Sequence, residues 1–375
     1  MNLKRLIIWT IIGTGVSSVV TQLLTIREFL TQFHGNEITI SLVLFCWLLL
    51  TGIGSLAARA VKRPSLTTYV LLNFVIAIWP LLQMIGVRGF RDTFFTHGVS
   101  PGFYPIFFYI LIAIAPYCLL VGFILPYAQK VLNHKYYSFS SGELYLTDNV
   151  GDITGGVVFS FILVYLLKPF PTIAVTSSLL ILVSLALLLN LRQHVFFLVM
   201  LCIASLFYYY STNSVFERRT LADQYGKVVR YLESPYGRIV VSKEGSQHTF
   251  WESGVPLYSD ANVVNSEEKV HYPLCQLDRV EEVLLVSGGL GETLAEVAKY
   301  NPAHVDYVEL DPYLTNAALD LGIIKKSPFM EIMNTDGRRF IKTTKRRYDA
   351  IIVDLPDPDT FQLNRFFTSE FFSLA

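Results

Sequence analysis

The chain has 375 residues, 52% of them hydrophobic and 16% charged, with a mean hydropathy of +0.45. Soluble proteins carry roughly a quarter charged residues, so a chain of this composition cannot be wholly soluble. Thirty Lys and Arg balance thirty Asp and Glu, and the basic residues form no stripe with interleaved aromatics, which argues against nucleic acid as a partner. Cys46, Cys118, Cys202 and Cys275 stand singly, without CxxC pairs or metal-ligand spacing, and read as small core residues rather than ligands.

A membrane span needs about 20 mainly apolar residues. Seven segments approach that length: 7–26, 38–58, 66–87, 104–125, 153–167, 171–190 and 194–210. The fifth and seventh are short. The first could pass for a signal peptide, but it has no small-residue cleavage site and further apolar runs follow, so a retained span is expected. Arg27 and Glu28, at its end, are expected to neutralise each other. Gly52 and Gly54, and the run Gly151-Asp152-Ile153-Thr154-Gly155-Gly156, offer small faces for close helix packing. Glu143, Asp148 and Asp152 precede or enter the fifth segment; they read either as a solvated loop or as acids at membrane depth that hold a cationic amine.

Lys4, Arg5, Arg59, Lys62, Arg63, Lys130, Lys135 and Arg192 fall on one side of the connecting loops, against Arg88, Arg91 and Lys168 on the other. This bias places the amino terminus inside. A cytoplasmic C-terminal domain then requires an even number of crossings. The expectation is six, with 194–210 at the interface, where its closing Tyr208-Tyr209-Tyr210 would be at home.

After Tyr210 charged residues appear every few positions, and a soluble part is expected to begin at 211. Residues 228–258 alternate in the manner of strands, with turns at Ser234-Pro235, Glu244-Gly245 and Ser253-Gly254. Next comes an apolar strand ending at Ser287, then Gly288-Gly289-Leu290-Gly291 and a helical stretch. A second strand ends in Glu309-Leu310-Asp311-Pro312, a third precedes Asp336-Gly337, and a fourth ends in Asp354. Strand and helix in alternation specify a parallel sheet. Such sheets bind ligands at the carboxyl ends of their strands. Glycines there let the backbone approach a ligand, and an acid about 20 residues on, Glu309, is placed to accept from ribose hydroxyls. With no Walker lysine, a nucleoside suits the site better than a nucleotide.

The stretches SPYGRIVV, VLLVSGGLGETLAEV, YVELDP, NTDGRRF and YDAIIVDLPDPDTFQLNRFFTSEFF resemble the spermidine synthase family of aminopropyltransferases, in particular its forms with an N-terminal multi-pass membrane domain. The resemblance covers about residues 234–372. Together with the apolar segments it gives an expected α-helical polytopic membrane domain (1–210), a small β-rich part (211–275) and an α/β Rossmann-like domain of the S-adenosylmethionine-methyltransferase type (276–375). Only four of the family's seven strands can be counted, so the sequence is expected to be truncated at the C-terminus.

The resemblance further implies decarboxylated S-adenosylmethionine as co-substrate on Gly288, Gly289 and Gly291. Glu309 would hold its ribose, Asp336-Gly337 its adenine, and no metal is called for. Asp354 would be the catalytic acid/base, with Asp357, Glu267 and His271 on the amine substrate. Three positions depart from the pattern. The acid expected after the glycines is Leu290, a glutamine is replaced by Gly237, and the family's Tyr-His-Glu falls on Asn265-Ser266-Glu267, keeping only the Glu. Expected partners are a small-molecule amine, the lipid bilayer of the cell membrane and a second copy in a homodimer. Two other functions stay open. One is an S-adenosylmethionine-dependent methyltransferase. The other is a non-catalytic transporter or sensor that binds a nucleoside or a polyamine.

Overall fold

The computed structural model describes residues 3–33, 37–95, 102–135, 140–260, 262–290, 292–358 and 360–375. The chain divides into two compact units, one ending at Gln224 and the other running from Tyr225 to Ala375.

The first unit is helical: α1 (Leu3–Gln32), α2 (Glu37–Ala58), α3 (Leu66–Gly89), α4 (Phe103–Lys135), α5 (Ser141–Leu166), α6 (Pro169–Asn190), α7 (His194–Thr212) and the short α8 (Ser214–Arg219). Among the described residues, the first seven are long and apolar enough to cross a membrane. Two of them correct the sequence reading. The fifth begins twelve residues before 153, because Ser140 and Glu143 form a capping box. Ser140 Oγ accepts from Glu143 N at 3.1 Å, and Glu143 Oε2 accepts from Ser140 N at 3.2 Å. These reciprocal bonds satisfy two of the donors that a helix start leaves open. Asp148 and Asp152 therefore lie inside a helix rather than in a loop. A single π turn, Phe159–Leu163, interrupts α5.

The other is α7, which runs on to Thr212; it packs against α6 across a three-residue connection, and Tyr208 near its end donates to Ser178 in the middle of α6 at 2.9 Å. That pairing makes it the returning arm of a hairpin. Of the four cysteines, only Cys46 and Cys118 are buried.

Packing follows the small residues. A Cβ on Gly151 would overlap the Ile12 carbonyl and one on Gly15 would meet the backbone of Asp148, so α1 and α5 touch backbone to backbone. Gly54 meets the Leu119 backbone in the same way, while Gly52 meets nothing. The opposite side of α1 is polar. Thr10, Thr14, Ser17, Thr21, Thr25 and Glu28 recur at three- and four-residue spacing and are all buried. Thr10 pairs with Tyr69 at 2.7 Å, Thr14 donates to Asn73 at 2.9 Å, and Gln83 donates to Thr25 at 2.9 Å.

The row ends in an ion pair. Arg88 donates from Nε and Nη2 to Glu28 at 3.1 and 3.0 Å, both side chains being 1% exposed. Its Nη1 reaches Thr220 at 2.9 Å, and its guanidinium lies over the Phe170 ring. Glu28 thus finds a partner 60 residues away. Glu217 accepts from Phe170 N, so α8 is tied to the bundle. This is why the division between the units falls after Gln224 rather than at 210.

The second unit opens with an antiparallel meander, β1 (Val228–Glu233), β2 (Arg238–Glu244), β3 (Gln247–Glu252) and β4 (Val255–Ser259). Then come α9 (Val263–Leu274), β5 (Glu282–Val286), α10 (Glu292–Ala298), β6 (His304–Glu309), α11 (Pro312–Asp320), β7 (Met330–Asn334), α12 (Gly337–Thr343) and β8 (Ala350–Val353), followed by helical turns at Phe361–Asn364 and Ser369–Phe372. The parallel sheet has the order β7-β6-β5-β8. Val283, Leu285, Val305, Tyr307 and Ile352 fill one face, while Leu284, Val286 and Val308 face Ile341, Phe366 and Phe371 on the other. Burial on both faces explains why these strands read as unbroken apolar runs.

The Glu28–Arg88 pair gives the first prediction. Arg88→Met leaves a buried carboxylate without its partner, and the helical unit should lose about 3–5 kcal/mol. A Glu28→Met/Arg88→Met double variant should recover most of that loss. Unfolding of the detergent-solubilised protein measures both, and equal losses in the single and double variants would contradict the assignment.

Candidate functional site

In-register pairing of β5 with β6 and with β8 brings three strand ends to one edge. At the end of β5 the backbone turns through two left-handed residues, Ser287 (φ 60°) and Gly288 (φ 66°). Ser287 uses this turn to donate its hydroxyl to Glu309 Oε2 at 3.1 Å. Gly288 lies against Asp354, and a Cβ there would overlap its carboxylate. Gly289 packs in the same manner on the Tyr307 ring. Gly291 lies outside the described residues.

Glu309 closes β6. Its Oε2 also accepts from Tyr307 at 3.0 Å and its Oε1 from Leu310 N at 2.9 Å. Burial pushes the Glu309 carboxyl above its ordinary range, with these hydrogen bonds opposing the shift. Tyr307 is pushed well above its ordinary value by burial and by the neighbouring Glu309. Asp311 caps α11 by accepting from Tyr313 N at 2.9 Å and takes a bond from Ser234 at 2.5 Å. Ser234 belongs to the SPYG turn, so the meander is fastened to the β6 end. Glu252 sits beside the same two acids. Burial and the charges of Glu309 and Asp311 raise it to about 7.

These groups surround a cavity of about 230 Å³. Ser287, Gly288, Leu290, Thr293, Glu309, Asp354, Leu355 and Pro356 line it from the sheet edge, Asn262, Asn265, Ser266 and Lys269 from the region of α9, and Val255–Ser259 from the meander. Of the residues expected from sequence, Gly288, Glu309 and Asp354 share this cavity. Leu290 lines it too and is buried.

The others lie elsewhere. Asp336 caps α12, accepting from Arg339 N at 2.9 Å, and its second oxygen pairs with Arg365. A Cβ on Gly337 would come within 2.5 Å of Val286, so its lack of a side chain serves helix–sheet packing. Asp357 is exposed. Glu267 and His271 are not among the cavity-lining residues, and His271 pairs with Glu296 of α10 at 3.0 Å and with Tyr300, just beyond that helix, at 2.8 Å. Successive helical residues are about 100° apart. A counting offset of one or two positions therefore moves a residue from the cavity face of α9, where Asn265, Ser266 and Lys269 lie, to the face against α10.

Glu267, His271 and Glu296 bring ligand atoms within 4.8 Å of one another, as do His304, Asp306 and Glu331. Lys299 already pairs with Glu296, and Arg346 and Tyr348 already engage Asp306. Both clusters are ion-pair networks whose charge is met by protein groups.

Sequence reasoning missed Lys269, whose Nζ lies 2.7 Å from Asp354 Oδ1. It also missed Ser287, Tyr307 and Glu252. Ser287 had a legible signal in its place between strand and glycines. Tyr307 also had one, since it precedes Glu309 by two residues on the same strand, whereas Lys269 and Glu252 act across elements, with no signal in local spacing.

Residues 263–375 match the family described as the spermine/spermidine synthase domain. Over 96% of its length the chain is 26% identical to polyamine aminopropyltransferase 2 of Aquifex aeolicus, covering 74% of that protein. It is also 26% identical to the polyamine aminopropyltransferase of Oceanobacillus iheyensis, over 99% of this chain and 75% of that one. Both matches run through the helical half. Among solved structures, spermidine synthase from Thermotoga maritima matches 40% of this chain at 25% identity, with a TM-score of 0.35. The chain spans about half the length of that solved protein. The strand-end constellation lies within the stretch that matches, and residues 263–375 are similar to the spermine/spermidine synthase domain.

Proposed function

We propose that the chain transfers an aminopropyl group from decarboxylated S-adenosylmethionine to a di- or polyamine, releasing methylthioadenosine. The observation that carries this reading is the convergence of the Gly288 turn, Glu309 and Asp354 on one cavity. The ribose hydroxyls would donate to Glu309. The turn leaves room for the sulfonium over Gly288. The acceptor's neutral nitrogen attacks the methylene beside the sulfonium, so that a C–N bond forms while the C–S bond breaks and its electron pair returns to sulfur. The nitrogen loses one proton, which Asp354 accepts. An alkylamine is mostly protonated at neutral pH, judging by the lysine pKa of about 10.4, so this proton acceptor and the positioning of the two reactants supply the catalysis. Asp336 at the adenine and Asp357, Glu267 and His271 at the amine remain readings from family resemblance. The buried apolar Leu290 favours a second reading, methyl transfer from S-adenosylmethionine itself. Product identity separates the two.

We further propose that the seven long helices anchor the chain in the cell membrane, with the synthase domain in the cytoplasm, where its nucleoside co-substrate would be available. Seven crossings then put the amino terminus outside, against the Lys/Arg bias. Part of that bias has another cause. Lys130 donates to the carbonyls of Ala58, Arg59 and Val61, each at 2.9 Å, and so caps the end of α2.

Three measurements test these readings. Glu309→Ala should weaken methylthioadenosine binding, measured by calorimetry, by about 1.5–3 kcal/mol, the worth of hydrogen bonds to a charged group; equal affinity would sink the ribose assignment. Asp354→Asn should cut turnover by about 10²–10⁴ while leaving nucleoside binding nearly intact, and a parallel loss of binding would make Asp354 a structural acid. For topology, single cysteines replace Lys62 and Ser246 in a background without the four native ones. In intact cells a membrane-impermeant thiol reagent should label position 62 and not 246. Labelling at 246 would refute a cytoplasmic domain, and labelling at neither would refute seven crossings.

A further inference from the structure

The cavity already contains a cation that belongs to the protein. Lys269 shares the cavity-facing side of α9 with Asn265 and Ser266, and its ammonium is 2.7 Å from Asp354 Oδ1. Among the described lining residues Glu309 and Asp354 are the acids and Lys269 is the lysine. From Cβ outward a lysine side chain is four methylenes ending in a primary amine, the same group as one end of 1,4-diaminobutane. An aminobutyl group tethered to α9 therefore occupies the place beside the acid that is to receive the acceptor's proton.

We propose that Lys269 is a tethered competitor for the acceptor-amine seat, so that a diamine reaches Asp354 only by displacing it. The proposal rests on the reading of Asp354 as proton acceptor. Two ammonium groups cannot both be neutralised by one carboxylate without a cost, so the closed pair disfavours diamine binding. Displacement is feasible, because the Lys269 side chain is 35% exposed and its flexible stem can carry the ammonium into water. Tethering gives the lysine an effective concentration in the millimolar range. The apparent affinity for a diamine falls in proportion to the fraction of molecules with the pair open. A pair this accessible is only moderately strong, so the factor is expected to be about three to ten.

The test is calorimetric titration of 1,4-diaminobutane into the full chain in detergent, with and without methylthioadenosine. Wild type, Lys269→Met and Lys269→Arg are compared. The methionine variant keeps the stem but loses the charge, and should bind the diamine about three- to tenfold more tightly. The arginine variant keeps a competing cation and should stay near wild type. Unchanged or weaker binding in the methionine variant overturns the proposal, as does an absence of diamine binding in all three. Methylthioadenosine affinity, measured on the same samples, reports separately on the nucleoside reading. Intact nucleoside binding with an unmoved diamine affinity removes only the competitor role, whereas lost nucleoside binding in wild type removes the reading beneath it.

Discussion

The contact between the Gly288 backbone and the Asp354 carboxylate is the constraint on which the site depends. Parallel strands lie about 4.8 Å apart, and β5 and β8 pair in register up to Val286 and Val353. The residues that follow are therefore forced side by side. Only a residue without a Cβ, in a left-handed conformation, lets the Asp354 side chain stand upright at the sheet edge. The same turn swings Ser287 toward Glu309 on the other side. One backbone reversal thus separates two acids with different surroundings. One is hydrogen-bonded by Tyr307, Ser287 and the Leu310 amide, and the other pairs with the partly exposed Lys269 ammonium.

The helical unit solves another problem. Where helices are apolar all round, burial alone does not choose their mates, and specificity comes from close backbone contact and from hydrogen bonds. The first helix divides these two means between its faces. Its glycine side meets α5, and its hydroxyl side meets Tyr69, Asn73 and Gln83 of α3. Glu28 and Arg88 close the row with the strongest pair in it. Such a helix cannot be rotated without losing one set of contacts or the other.

What the sequence displayed follows from the range of the interactions. Apolar runs, strand-end acids and glycine turns are local patterns, and these placed Glu309, Asp354 and Gly288 at one edge. The start of α5 was hidden because residues 141–152 are polar enough to resemble a loop, although the Ser140/Glu143 box marks a helix start. Glu28 was assigned to its neighbour Arg27 because sequence shows adjacency, whereas burial selected an arginine two helices on. On α9 the register was the obstacle. Family counting points to Glu267, and to His271 only through a shortened loop, yet a helix changes face every two residues, and the residue that reaches Asp354 is Lys269. Its role depends on the packing of α9 against β8, which no local pattern records.

The turn at Gly237 carries a lesson for anyone who would graft family residues onto this chain. Glutamine is the family's residue there, but a Cβ at 237 would collide with the Ser253 hydroxyl, which stands on a left-handed backbone (φ 47°) at the start of the turn between β3 and β4. The side chain at 237 and the hydroxyl of Ser253 claim the same space. Restoring the glutamine alone would force that hydroxyl to turn aside. Residues 237 and 253 are therefore best exchanged together.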